Sequence, residues 1–319
     1  MTAMARLPNI DGVLVTWGDR LFYPGNRRVR GTDAVRLRAA AIRRGIEATV
    51  VRRAPQVMVK VTGGGRGMRG IAAHFRYISK HGRLEIEDQR GETLRGKDSV
   101  RELAEEWKFS GSLIPDDAEP GHRREAFNIM LSMPRGTDPL CVHRAAREFA
   151  KAELDGHKYV MVLHDHQANP HVHLSVRAES RSGRRLNPRK ADLQRWRATF
   201  AEKLQGYGIE AEATRQPARS QSRTYEPLWR LKARAGGRLR SSATGDRPRP
   251  EVQVSRFETN VAWEQISRAL LASPNAEDHA LARAIDRFTK DREVRAASPE
   301  SSERSVGLLP GSGERMRDR

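Results

Sequence analysis

The chain holds a single cysteine, Cys141. One thiol forms no internal disulfide and builds no cysteine-based zinc finger. Cys141 falls in an amphipathic helical pattern and reads as a small buried hydrophobe. Long apolar runs are also missing: nothing approaches the roughly 20 residues that a bilayer-spanning helix needs, and no helical pattern has the broad apolar face of a membrane-surface helix. The opening MTAMARLPNIDG lacks the apolar centre of a secretion signal, so a reducing cytoplasm is the expected location. Acid is scarce, with 40 Asp and Glu against 59 Lys and Arg, which leaves a formal net charge of +19 and a pI near 10.9. Such a surplus attracts polyanions at long range and releases their counterions, so nucleic acid is the leading partner class. Hydrophobic residues make up 37% of the chain and charged ones 31%, a balance that fits a packed core with solvated tails.

Three parts follow from the patterning. Residues 1–55 form a basic N-terminal arm, in which GVLVTWGDRLFYPG reads as a strand pair or an extended segment and NRRVRGTDAVRLRAAAIRRG has helical character. Residues 56–213 carry the strongest periodicities. QVMVKV is a strand-type run, TGGGRGMRG a glycine-rich loop, and IAAHFRYISKHG a helix expected to stop at Gly82. AFNIMLSMP reads as a buried strand, and GTDPLCVHRAAREFAKAEL as a helix capped by Thr137 or Asp138. KYVMVLH and HVHLSVRAE are strands joined by the loop DHQANP, hence a hairpin, and PRKADLQRWRATFAEKLQGYG is a further helix. Together these predict an α+β fold, a central antiparallel sheet with flanking helices. Residues 214–319 form a basic, partly disordered C-terminal extension: ten Lys or Arg face two acids between Thr214 and Pro250. Two short helices are expected there, ETNVAWEQISRALLAS and DHALARAIDRFTKD, before a disordered end.

Four of the ten histidines crowd into HDHQANPHVHL, residues 164–174. On a strand, positions i and i+2 share a face, so His171 and His173 project together while Val172 and Leu174 enter the core. His164 ends the preceding strand and is folded back beside them. Three neutral imidazoles on one rigid hairpin can hold a divalent metal and leave positions open. A closed structural site would need a fourth ligand, for which Asp165 and His166 are the candidates. Three imidazoles suit Mn, Ni, Co or Zn by ligand softness, whereas cellular abundance favours Mg or Mn.

If the chain acts on a phosphodiester it needs a nucleophile, and Tyr77 is the best placed, although a tyrosine at the margin of a helical stripe commonly serves packing alone. Ile71, Phe75 and Ile78 form the buried stripe of its helix, and His74, Tyr77 and His81 form a neighbouring one. Tyr159 lies five residues before His164, an odd offset that turns it to the opposite sheet face. Tyr23, Tyr207 and Tyr225 fall outside the periodic core or at its edge. Gly64 and Gly65 can offer backbone N–H groups to a phosphate, although a tight turn explains them equally well.

In this order, these segments resemble the HUH relaxases of mobile DNA, most of all the MobP group that includes the T-DNA border endonucleases. AHFRYISKHG is similar to the first motif of that family, which implies that Tyr77 is the nucleophile. LSMPRGTD is similar to the second and implies a place near the DNA for Ser132. HDHQANPHVHL is similar to the third and implies a metal held by His164, His171 and His173. The likeness covers residues 56–213 and implies an HUH endonuclease-like fold. It further implies nicking and rejoining of single-stranded DNA at a transfer origin through a 5′-phosphotyrosyl link, for conjugative mobilisation. The expected partners are that DNA, an accessory DNA-binding protein and a type IV secretion coupling protein, with no membrane insertion. The sequence departs from the family at one position: His166 stands where the family has an acid, and Asp165 comes one residue early. Asp165, His166, His74 and His81 are therefore the candidates for orienting a ligand or serving as base. Two rival readings are a non-catalytic DNA-binding accessory protein and a phosphodiesterase that activates water.

Overall fold

The computed structural model describes residues 9–23, 29–116, 123–214 and 250–297. The expected basic linker, Tyr225 and the expected disordered end from residue 298 lie outside the described residues.

A six-stranded sheet forms the centre, in the order β1 (Met58–Gly63), β4 (Ala126–Ser132), β6 (His171–Ser180), β5 (His157–His164), β2 (Ile86–Asp88) and β3 (Thr93–Leu94). Every neighbouring pair is antiparallel. The α+β expectation is met. Strand β6 lies between two long partners and is buried along almost its whole length, which fixes its register tightly.

Alternation along the strands gives the sheet two different faces. One carries Val59, Ile129, Leu131, Tyr159, Met161, Val172, Leu174 and Val176, and it is closed by helices α5 (Pro139–Glu153) and α6 (Lys190–Gly206). Helix α5 starts where Asp138 accepts from the Leu140 amide, with Pro139 in the first turn, as the sequence suggests. The other face carries Ala126, Val160 and Val162 beneath α3 (Met68–Ile78) and α4 (Lys97–Phe109). Arg177 of β6 is buried there and donates to the carbonyls of Trp107 and Ser112, which ties the end of α4 to the sheet.

The reading of residues 12–25 as a strand pair or extended segment is overturned: Ile10–Phe22 form helix α1. Asn9 Oδ1 accepts from the Gly12 amide at 3.0 Å and Asp11 sits in the first turn, both helix-starting features. The β-branched Val13, Val15 and Thr16 lower helix propensity by a few tenths of a kcal/mol each. Burial of Leu14, Leu21 and Phe22 outweighs that loss. Helix α2 (Thr32–Ile46) follows and runs into a π-helical turn, Glu47–Val51.

Two further helices, α7 (Pro250–Leu271) and α8 (Ala276–Ala297), form where the sequence predicts them. They pack on α1 and α2. Leu14, Phe22, Ile42 and Ile46 meet Trp263, Ile266 and Ile285 in a core separate from the two beside the sheet. Arg43 joins this bundle, with one nitrogen 2.8 Å from Asp11 and another 2.8 Å from Asp278. Helices α1, α2, α7 and α8 are thus one helical unit.

Candidate metal and nucleophile site

Register across the sheet creates the site. His164 stands opposite His171, and His171 opposite Ser132; one step along, Val162, His173 and Met130 align. The three imidazoles end on the α3 side, with ring centres 5.0 Å (His164–His171), 4.7 Å (His164–His173) and 4.9 Å (His171–His173) apart. One nitrogen of each lies within 4.8 Å of the other two, as ligands of a single ion require.

Hydrogen bonds fix two of the tautomers. His164 Nε2–H donates to the Ile78 carbonyl at 2.7 Å and His171 Nδ1–H to the Asn169 carbonyl at 2.9 Å. That leaves the Nδ1 of His164 and the Nε2 of His171 with free lone pairs. The Nδ1 atoms of His164 and His173 are buried without a protein partner, an arrangement that costs free energy unless something else satisfies them. Burial holds His164 below the ordinary imidazole pKa, and burial followed by the neighbouring histidines brings His173 down to about 3. The residues fit a divalent cation: three neutral nitrogen donors, two of them braced by backbone carbonyls.

Tyr77 projects from α3 over this group. Its side chain is 68% exposed, and its ring centre is 6.3 Å from that of His173. His74, one turn earlier, stacks at 6.2 Å from Tyr77 and meets His173 edge-on at 6.4 Å. Burial pushes His74 down to about 4, and its Nε2 has no protein partner.

Other sequence candidates are placed differently. Helix α3 ends at Ile78, not Gly82, so His81 leaves the helix and does not extend the stripe of His74 and Tyr77. His166 sits against His164 at 5.1 Å, with its Nδ1 4.0 Å from the Asp165 carboxylate; neither joins the three-nitrogen group. Ser132 is buried beside His171 and directs its hydroxyl to the Pro170 carbonyl at 3.4 Å. The Gly65 amide donates to Ala126, and Gly65 accepts from Glu125 and Ala126. A side chain at Gly64 would run into the Ala126 carbonyl and one at Gly65 into Ile71, so close packing alone requires both glycines. Tyr159 is buried on the opposite face, as its odd offset predicts. Cys141 is not the buried hydrophobe expected of it: half-buried, its thiol donates to Asp138 at 3.2 Å because the helix cap lies one turn away. The backbone carbonyls of Ile78 and Asn169, which orient two of the imidazoles, carry no sequence signal, since any residue supplies them.

Residues 77–209 match the family model described as "Relaxase: MobA/VirD2-like, nuclease domain". The chain is 26% identical over 223 residues to a T-DNA border endonuclease VirD2 of Agrobacterium fabrum (strain C58), which covers 60% of this chain and 49% of that protein. It is 27% identical over 134 residues to a T-DNA border endonuclease VirD2 of Rhizobium radiobacter, covering 38% of this chain and 31% of the relative. The chain thus spans about half or less of the length of the curated relatives it matches. Among the described residues, no helix is long and apolar enough to cross a membrane.

Proposed function

We propose that this chain, whose residues 77–209 match the MobA/VirD2-like relaxase nuclease domain, nicks one strand of DNA at a transfer origin through attack by Tyr77. The observation that carries this reading is the placement of the Tyr77 ring 6.3 Å from His173, above three imidazoles suited to one cation. A divalent cation held by His164, His171 and His173 would supply positive charge to the non-bridging oxygens of the scissile phosphate.

The residues of the chain supply the rest. Tyr77 Oη gives up its proton and bonds to phosphorus, while the bond from phosphorus to the 3′ oxygen breaks and that oxygen leaves as a hydroxyl. One phosphodiester is exchanged for another, so the strand can be rejoined by the reverse step. Attack by the Tyr77 hydroxyl needs a proton acceptor. The neutral His74, stacked on the Tyr77 ring, is the nearest imidazole outside the three-histidine group. Ser132, through Pro170, holds the loop that leads into His171. The relatives named T-DNA border endonucleases support a role in DNA transfer, with type IV secretion and an accessory origin-binding protein as the corresponding partners.

The test uses labelled single strands tiled across a candidate transfer origin. The wild-type chain forms a covalent protein–DNA adduct and Tyr77→Phe forms none. An adduct that survives Tyr77→Phe overturns the assignment, and cleavage without any adduct points to activated water instead.

A further inference from the structure

Three non-glycine residues among those described have positive φ: Arg53 (50°), Lys80 (49°) and His81 (59°). Such backbone disfavours any residue with a Cβ relative to glycine. Arg53 has a structural reason for its place, since its guanidinium reaches Asp291 of α8 at 2.8 Å. No carboxylate among the described residues pairs with Lys80.

The geometry around Lys80 is well defined. The His81 amide donates to the Arg76 carbonyl at 2.7 Å and the Lys80 amide to Tyr77 at 3.2 Å, the two bonds that close a helix with a left-handed residue after its cap. Glycine is the usual occupant of that position; here it is Lys80. Gly82 (φ 82°) continues the left-handed path, and its carbonyl accepts from Gly96 at 3.0 Å. A side chain on Gly82 would meet the Gly96 backbone at 2.5 Å, so the turn has one route. Its start is pinned to the metal hairpin by the bond from His164 to Ile78. Lys80 is exposed two residues later.

We propose that Lys80 is a DNA-binding residue that takes the backbone phosphate next to the scissile one. The left-handed turn is retained against the advantage of glycine because it holds this unpaired cation at the rim of the three-histidine site. Backbone strain kept at a functional position is a recognised trade of stability for activity. The proposal rests on the strand-nicking reading above for the identity of the anion.

Full-length protein and single-stranded oligo(dT) test it, because a phosphate contact is independent of base sequence. Lys80→Gly should raise the melting midpoint by about 2–3 °C as strain is released. The same variant should bind oligo(dT) roughly fivefold more weakly, with the slope of log affinity against log salt shallower by about 0.7. Lys80→Arg should restore binding and slope but not the raised midpoint. A Lys80→Gly protein with wild-type affinity and slope overturns the proposal, and so does one that melts lower. The nicking reading fails separately, as a wild-type chain that forms no Tyr77-dependent adduct.

Discussion

The two faces of the sheet are written on the same strands, yet one is finished and the other is not. Beneath α5 and α6, Leu131, Tyr159, Met161, Val172, Leu174 and Val176 close into an apolar core with Phe149 and Trp196. The opposite face begins the same way, with Val160 and Val162 under Phe75 and Trp107. Along β6 it turns polar, through Arg177, Ser175, His173 and His171, and ends at the three imidazoles. The difference lies in alternation: each apolar residue that anchors the hairpin in the closed face sends its neighbour to the open one. The apolar face holds the three imidazoles still, and the polar face carries them, buried, on the α3 side.

Predictions follow from breaking one face and sparing the other. The largest effect belongs to the open face: His171→Ala with His173→Ala should abolish both divalent-metal binding, read by calorimetry, and formation of the covalent adduct. The melting midpoint of that variant should stay within a few degrees of wild type, because the closed face is intact. Next comes the closed face, where Leu174→Ala should lower unfolding free energy by about 2–5 kcal/mol in urea titrations, with metal affinity falling only as the hairpin loosens.

A smaller effect concerns pH and the buried imidazoles of the open face. Burial lowers the pKa of His74, His164 and His173 in the folded chain. On unfolding they return toward the ordinary value near 6.5, so the unfolded chain binds more protons. Their contribution to the metal-free protein is therefore complete above that value. It is lost as pH falls, down to about 4 for His74 and about 3 for His173. Each imidazole adds a slope of about 1.4 kcal/mol per pH unit. Denaturation midpoints at pH 7 and 5 should show the fall, and His173→Ala should flatten it. The smallest effect tests whether the helical unit stands apart from both faces. Asn9→Ala should cost about 1 kcal/mol through the lost cap, leaving metal binding unchanged.

How far these features were legible depends on how local their causes are. The hairpin and its three convergent histidines follow from residue spacing, because strand alternation is a property of the backbone and needs no partner. The Tyr77 helix was equally plain, yet its end was misplaced: Lys80 and His81 continue an acceptable helical sequence, and only the turn against Gly96 stops it at Ile78. Helix α1 was misread because VLVTW carries strand-type residues, whereas the Asn9 cap and the spacing of Leu14, Leu21 and Phe22 pointed to a helix. That α1 and α7 share a core was invisible, since more than 200 residues separate them in the sequence.

By itself, then, the sequence determined the α+β class, the convergence of His164, His171 and His173, and a tyrosine on the margin of a helical stripe. These rest on periods of 2 and 3.6, which the backbone imposes on any chain. Tertiary structure decided that α3 crosses the open face so that Tyr77 stands over the ligands, while His81 is turned away. It also decided that an exposed lysine sits in the left-handed turn that follows the Ile78–His164 bond. Those placements arise from contacts between residues distant in sequence, such as Ile78 with His164 and Gly82 with Gly96, and no local period encodes them.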